Sequence, residues 1–263
     1  MSSLLAASPV AGQLRPLEPV DWAMFRGTNS VSFRFGASRL DDQRASLAGT
    51  RGVLWEAGNF SVAWRTGRVM LEAGGTAQRF FDEKDRFSQP YAGVTTEVDG
   101  TRHDSGDYRV STAIRLTSPG SPVISSLRFG TRLPTTDNTT GLDRDAIDFF
   151  ALVGAARSFS RLLLAAEGGV GIHSSRDPAF EQDDLILYSA SAELEGFRIV
   201  PSIAVHGQQH GRGHDELRGL EDLGELRAGL KAGNRTWARI ELVLGYETFS
   251  PASGVVVSMG IRR

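Results

Sequence analysis

The stretch from Leu223 to Gly245 reads LGELRAGLKAGNRTWARIELVLG. Leu226, Ala228 and Leu230 alternate with Arg227, Gly229 and Lys231, and after a polar Gly233-Asn234 turn Ala238, Ile240, Leu242 and Leu244 alternate with Trp237, Arg239, Glu241 and Val243. Side chains of a strand point to opposite faces in turn, so two such runs across a short turn read as a β-hairpin with one apolar and one charged face.

The pattern recurs along most of the chain. Strands are expected near Asn29–Ser38, Gly52–Arg65, Val69–Gly74, Asp107–Leu116, Val123–Arg132, Ile147–Val153, Leu162–Val170, Ile186–Glu193, Ile199–Gln208 and Gly254–Ile261, which with the hairpin makes about twelve. In the second run the apolar phase changes at Gly58-Asn59, which a β-bulge would restore, unless the run is two short strands. Connections alternate between short turns, at Thr66, Pro119, Arg157, Gly196 and Gly233, and long polar loops; the short link near Ser250 is the exception. The longest stretch without periodicity is Phe81–Gly106.

An even number of antiparallel strands puts both ends of the sheet on one side, with the short turns, and the long loops on the other. Transmembrane β-barrels have that asymmetry. The polar faces carry Arg34, Glu72, Arg109, Arg115, Arg128, Arg132, Asp148, Glu167, Glu193, His206, Arg227, Lys231, Arg239, Glu241 and Arg262. In a soluble barrel these would face water, and alanine and valine would have to fill the wide interior of twelve long strands. Turned inside out, the barrel gives its apolar face to lipid and its charges to a wet lumen. The expected fold is therefore all-β: a single antiparallel transmembrane β-barrel over residues 28–263, preceded by a signal-like or irregular segment over 1–27. Trp64, Phe159, Phe197 and Trp237 stand beside short turns and are expected to form an aromatic girdle there, with Tyr246 and Phe249 near the opposite rim.

Composition limits the alternatives. The 263 residues contain no cysteine, so disulfides and thiolate sites are excluded. A net charge of −2 gives no field for nucleic acid. No apolar run is long enough for a transmembrane helix, which says nothing against strands. Met1–Gln13 has the apolar stretch and small residues of a secretory signal without its basic front, so it reads equally as a signal remnant or a flexible terminus. Pro16 and Pro19 mark an irregular lead-in, with Trp22 and Phe25 as anchors.

The segment Leu127–Phe150, LRFGTRLPTTDNTTGLDRDAIDFF, has a glycine-containing strand, Arg132, Leu133-Pro134-Thr135, a polar loop and Asp148 opening the next strand. It resembles a segment of bacterial outer-membrane barrels of the meta-pathway phenol degradation family, and the hairpin order on either side is similar. The resemblance implies a bacterial outer-membrane location and passage of small solutes, aromatic or hydrophobic ones included. Outer-membrane barrels end in an aromatic that serves assembly; this chain ends Ile261-Arg262-Arg263. The expected partners are the lipid bilayer, small solutes and the outer-membrane assembly machinery.

No nucleophile elbow, zinc-protease motif or phosphate-binding loop is present, so no enzyme and no cofactor are expected. His210 to His214, followed by Asp215 and Glu216, has the residue types of a metal site but reads better as a hydrophilic loop. The expected activity is passive diffusion through the lumen. Arg109, Arg115, Arg128 and Arg132 on early strands would face Glu167, Glu193 and Glu241 on later ones and screen solutes by charge. The alternative is a structural or surface-interaction barrel whose charges lock into a salt-bridged plug. The stretch Phe81–Gly106 is a candidate constriction.

Overall fold

A computed structural model describes residues 14–27, 29–95, 100–135, 139–142, 147–177, 180–210 and 221–263, without the side chains of 174–177 and 180–183. The strands are β1 (Asn29–Ala45), β2 (Thr50–Thr66), β3 (Val69–Arg86), β4 (Thr101–Asp104), β5 (Tyr108–Arg115), β6 (Val123–Leu133), β7 (Asp148–Phe159), β8 (Leu162–Asp177), β9 (Phe180–Leu194), β10 (Ile199–His210), β11 (Leu223–Ala232), β12 (Thr236–Gly245) and β13 (Ser253–Arg262). Each pairs antiparallel with its neighbours, and β1 closes the ring on β13 from Ser32↔Arg262 to Asp41↔Ser253. Closure leaves no unpaired edge, as a sheet in hydrocarbon requires.

The thirteen strands make a twelve-membered wall, because β4 and β5 are one interrupted strand. Both lie on the same edge of β3, in one continuous register: Arg79↔Asp104 continues as Gly75↔Tyr108. The interruption covers residues 105–107, and the Gly106 amide still bonds the Thr76 carbonyl at 3.0 Å. The aperiodic stretch Phe81–Gly106 is thus partly strand. Its ends, rich in Asp82, Glu83, Lys84 and Asp85, extend beyond the apolar band, where neither face is forced to be apolar. Its middle packs on the β1–β2 turn, with Tyr91 donating to the Leu47 carbonyl at 2.7 Å and Val94 buried against Leu47. Phe81 is fully buried, and Arg102 and Asp104 are buried as well.

The phase change in β2 is a bulge within one strand. Gly36 pairs Asn59 and Ala37 pairs Ala57, leaving Gly58 unmatched against β1 at φ +72°. Only glycine adopts that backbone without strain. The β11–β12 hairpin turns at Gly233 with Lys231 opposite Arg239, and the start of β1 meets the end of β13 beside it, where Val31 and Arg263 exchange two hydrogen bonds. The signal-like Met1–Gln13 lies outside the described residues, as do residues 211–216 of the histidine-rich loop.

The outward face settles the solvent. Leu242 and Leu244 are 58% and 53% exposed, whereas Val243 between them and Glu241 before them are 1% and 8% exposed. Phe33, Phe129, Phe149, Val153, Val170, Ile186 and Met259 continue the same apolar surface around the ring. A surface this large and apolar is stable only against lipid. Trp64, Phe159 and Phe197 point outward beside short turns. Trp237 does not: it is 8% exposed, and its indole lies over Gly260 on the inner side. Its parity with Arg239 and Glu241 outranks its place beside a turn, so it leaves the expected girdle.

Candidate functional site: a strap through the lumen

The lumen is the candidate site, and its main feature is the lead-in itself. Residues 14–27 run along the inside of the barrel, from the loop end to the turn end. At the loop end Leu14 is buried with Leu40, Leu54, Phe81, Leu142, Val243 and Val256. Midway, Leu17 packs against Phe150, Leu152, Leu185 and Leu187. At the turn end Val20, Trp22, Met24 and Phe25 fill a cluster whose wall supplies small residues: Ala63, Ala113, Ala156 and Ala165. Gly154 leaves the room that Trp22 occupies, since a Cβ there would stand 2.8 Å from the indole. Large side chains on the strap thus meet small ones on the wall, the complementarity expected of a packed interior.

The polar contacts are as specific. Arg15 forks onto both oxygens of Glu225 at 2.9 Å and reaches Glu56 at 3.0 Å. Glu18 takes two bonds from Arg227, at 2.6 and 3.2 Å. The Glu18 carbonyl accepts from Arg128 at 3.0 and 3.1 Å, and the Val20 amide donates to Glu167 at 2.9 Å. Asp21 caps the 3-10 turn Trp22–Arg26 by accepting from the Ala23 amide, and accepts from Arg262 at 2.6 Å. The carbonyls that leave that turn are held by guanidiniums: Met24 and Gly27 by Arg65, and Phe25 by Arg115 at 2.9 Å. Arg26 pairs with Glu195 at 2.7 Å at the turn-side mouth. These carbonyls have no partner within the turn itself, and in a dry interior each would be costly unbonded.

The residues singled out in the sequence stand on the inner side, in three arrangements. Arg115, Arg128, Glu167 and Arg227 hold the strap, and His206 lies 3.2 Å from Glu225 beneath it. Others brace the wall. Glu72 bonds Arg109 at 3.2 Å, Glu193 sits between Lys231 and Arg239 at 3.2 Å from each, Glu241 is 3.4 Å from Arg239, and Asp148 is 3.6 Å from His173. Arg34 and Arg132 have only loose partners, Glu18 and Asp107, each at 3.9 Å.

For Arg128 and Glu167 the expected opposition across the lumen is replaced by a contact. Arg128 and Glu167 do not face each other across the lumen; one strand, β7, separates β6 from β8, so their side chains meet at 3.5 Å on the same wall. The expectation missed Arg15, Glu18, Glu56, Arg65, Arg79 and Glu225. Glu225 and Arg65 share the inward parity of Arg227 and Ala63 and were readable; Arg15 and Glu18 lie on a segment with no period at all.

Beside the strap two spaces remain, of about 100 Å³ and about 130 Å³, each with room for several waters. The first is lined by Arg34, Arg109, Arg132, Glu18, Asn59 and Thr76 among others. The second is lined by Trp237, Arg239, Lys231, Glu193, Asp21 and Arg262 among others, so it runs to the turn-side mouth.

No protein-family model matches the chain, and no curated protein does. Solved structures do. The COG4313 outer membrane channel from Pseudomonas putida F1 aligns over 94% of this chain and 100% of that one, with a TM-score of 0.61 at 10% identity. A CymD monoaromatic hydrocarbon channel aligns over 91% of this chain and 90% of its own, with a TM-score of 0.45 at 13% identity. OmpT, an outer membrane protein of Vibrio cholerae, aligns over 89% of this chain and 98% of its own, with a TM-score of 0.44 at 9% identity. The first of these likenesses, joined to the closed wall and the apolar exterior, gives the conclusion: the chain has the fold of a bacterial outer-membrane β-barrel of the porin and channel type.

Proposed function

We propose that the protein is a narrow channel of the bacterial outer membrane, through which small solutes diffuse passively along the face of the strap. The observation that carries this reading is the charged inner wall with two spaces, one beside residues 15–18 and one beside residues 18–23 of a strap held by no sheet pairing. A barrel built only to be rigid has no need to keep ionised groups beside water at its centre, where apolar packing would serve as well. Arg34, Glu72, Arg109, Arg132, Asp148, Glu193, His206, Lys231, Arg239 and Glu241 are assigned to the lining of the path. Arg115, Arg128, Glu167 and Arg227 are assigned to holding the strap. Trp64, Phe159 and Phe197 are assigned to the interfacial girdle.

The resemblance to the phenol-degradation barrels supports aromatic solutes. The charged lining favours those that also carry a polar or ionised group. No catalytic role is assigned. Residues 1–27 are read as a segment distinct from the barrel, and insertion is assigned to the outer-membrane assembly machinery. The test is conductance: purified protein in planar bilayers should give discrete steps of small amplitude. A silent membrane with correctly folded protein inserted would overturn the reading. It would favour the second one, a non-conducting barrel closed by the Arg15–Glu56–Glu225 network.

A further inference from the structure

We infer that the lumen contains a binding site for the carboxylate of a small monoanion, formed by Arg34, Arg109 and Arg132. This rests on the channel reading for its role in transport, but not for its chemistry. Arg109 and Arg132 are directly opposed across the β5–β6 pair. Like charges in that position repel, so sheets avoid them unless something lies between. Arg34 joins them from β1, and all three line the same space of about 100 Å³.

The nearby acids are largely committed elsewhere. Of those lining the space, Glu56 is bound by Arg15, Arg79 and Ser38, Glu18 by Arg227, and Glu241 lies beside Arg239. Six arginines and four carboxylates line the space; Glu72 pairs with Arg109 and Glu225 with Arg15 and Arg227, so the cations left without a close counter-charge are Arg34 and Arg132. The donors themselves are underused. Among the described residues Arg34 and Arg132 each have one carboxylate within 4 Å, at 3.9 Å, which is beyond hydrogen-bond length. The Nε of Arg109 is buried with no hydrogen-bond partner among the described residues.

A guanidinium presents its donors as a planar fork that matches a carboxylate. Two guanidiniums without a close carboxylate fit the single acid group of a small monoanion. A space of about 100 Å³, against the roughly 10–15 Å³ that one water needs on the same measure, has room for a carboxylate. The site therefore recognises the acid group of a solute, whose remainder must lie along the strap. Bound there, the anion would relieve the Arg109–Arg132 repulsion and accept the free donors of Arg34.

The experiment is titration calorimetry of the full-length protein in detergent at low ionic strength, with sodium acetate and then sodium benzoate as probes. Heat that saturates at one site is expected, weakened at least tenfold in R34Q/R132Q and less in R132K, which keeps the charge but loses the fork. Far-ultraviolet circular dichroism and the electrophoretic heat shift verify that each variant is a folded barrel. Absence of saturable binding, or equal binding by folded R34Q/R132Q, overturns the site whatever the conductance. Binding by a protein that is silent in bilayers would keep the site and remove the channel. Steps in bilayers without any acetate or benzoate binding would keep the channel and remove the site.

Discussion

Replacing Arg15 with alanine should free the strap from the lumen. In the docked state Arg15 makes three short bonds to two carboxylates, Glu225 and Glu56, whose side chains are 0% and 2% exposed. After truncation each keeps other donors: Glu56 retains Arg79 and Ser38, and Glu225 retains Arg227 and His206. The loss therefore belongs at the low end of the range for breaking a buried ion pair, about 3 kcal/mol. An undocked strap would admit water to both carboxylates, so the penalty falls on the docked state alone. At about 1.4 kcal/mol per decade the docking equilibrium moves by roughly 100-fold. The chain has no cysteine, so Leu17→Cys introduces a unique probe on the strap, packed against Phe150 and Leu187. In proteoliposomes, labelling of that cysteine by a membrane-impermeant maleimide should accelerate by about two orders of magnitude when Arg15→Ala is added. A change of less than about threefold, in protein verified as a folded barrel, would refute the assignment of the strap's hold to this pair of carboxylates.

Other outcomes follow from the same geometry. Gly154→Val drives a side chain into the Trp22 indole and should raise Leu17→Cys labelling through an overpacking cost of about 1–3 kcal/mol, without loss of the barrel spectrum. Leu242→Arg puts a cation on the lipid face and should cost about 2–4 kcal/mol in denaturant unfolding from bilayers, falling toward zero if that face meets water. Gly58→Val should destabilise the barrel by about 1–3 kcal/mol, since valine must hold φ +72° at the bulge. Lipids brominated on their acyl chains should quench the outward-facing Trp55 and Trp64 and spare Trp22 and Trp237; quenching lost on Trp237→Phe would show that Trp237 faces lipid after all.

The barrel was legible because lipid and lumen impose opposite demands on alternate residues. That pressure acts along every strand within the apolar band, so parity alone separates Leu242 from Glu241 and Phe149 from Asp148. It lapses where strands rise above the band, which is why the ends of β1 and β3 and the short β4 read as loop. It also fails to rank two signals at one position: Trp237 lies beside a turn, yet faces inward. The strap was the least legible part. Its residues are placed by partners distant in sequence, as far as Glu225 for Arg15 and Arg227 for Glu18, and no local period records such pairings. Arg115 and Arg128 were found on the correct face, but their work is to bind main-chain carbonyls, which side-chain identity does not announce.

The strap continues directly into β1, and β1 is also the strand that meets β13 to complete the ring. The indole of Trp22 and the phenyl ring of Phe25 sit behind a finished cylinder of hydrogen bonds, in recesses cut to their shape. Threading such bulky groups through a sealed tube afterwards would be slow. Biogenesis therefore has a preferred chronology, with the leading peptide laid inside the curling sheet before the first and last hairpins zip together. The seam and the filling then become a single late event, and a lesion in either should stall the other.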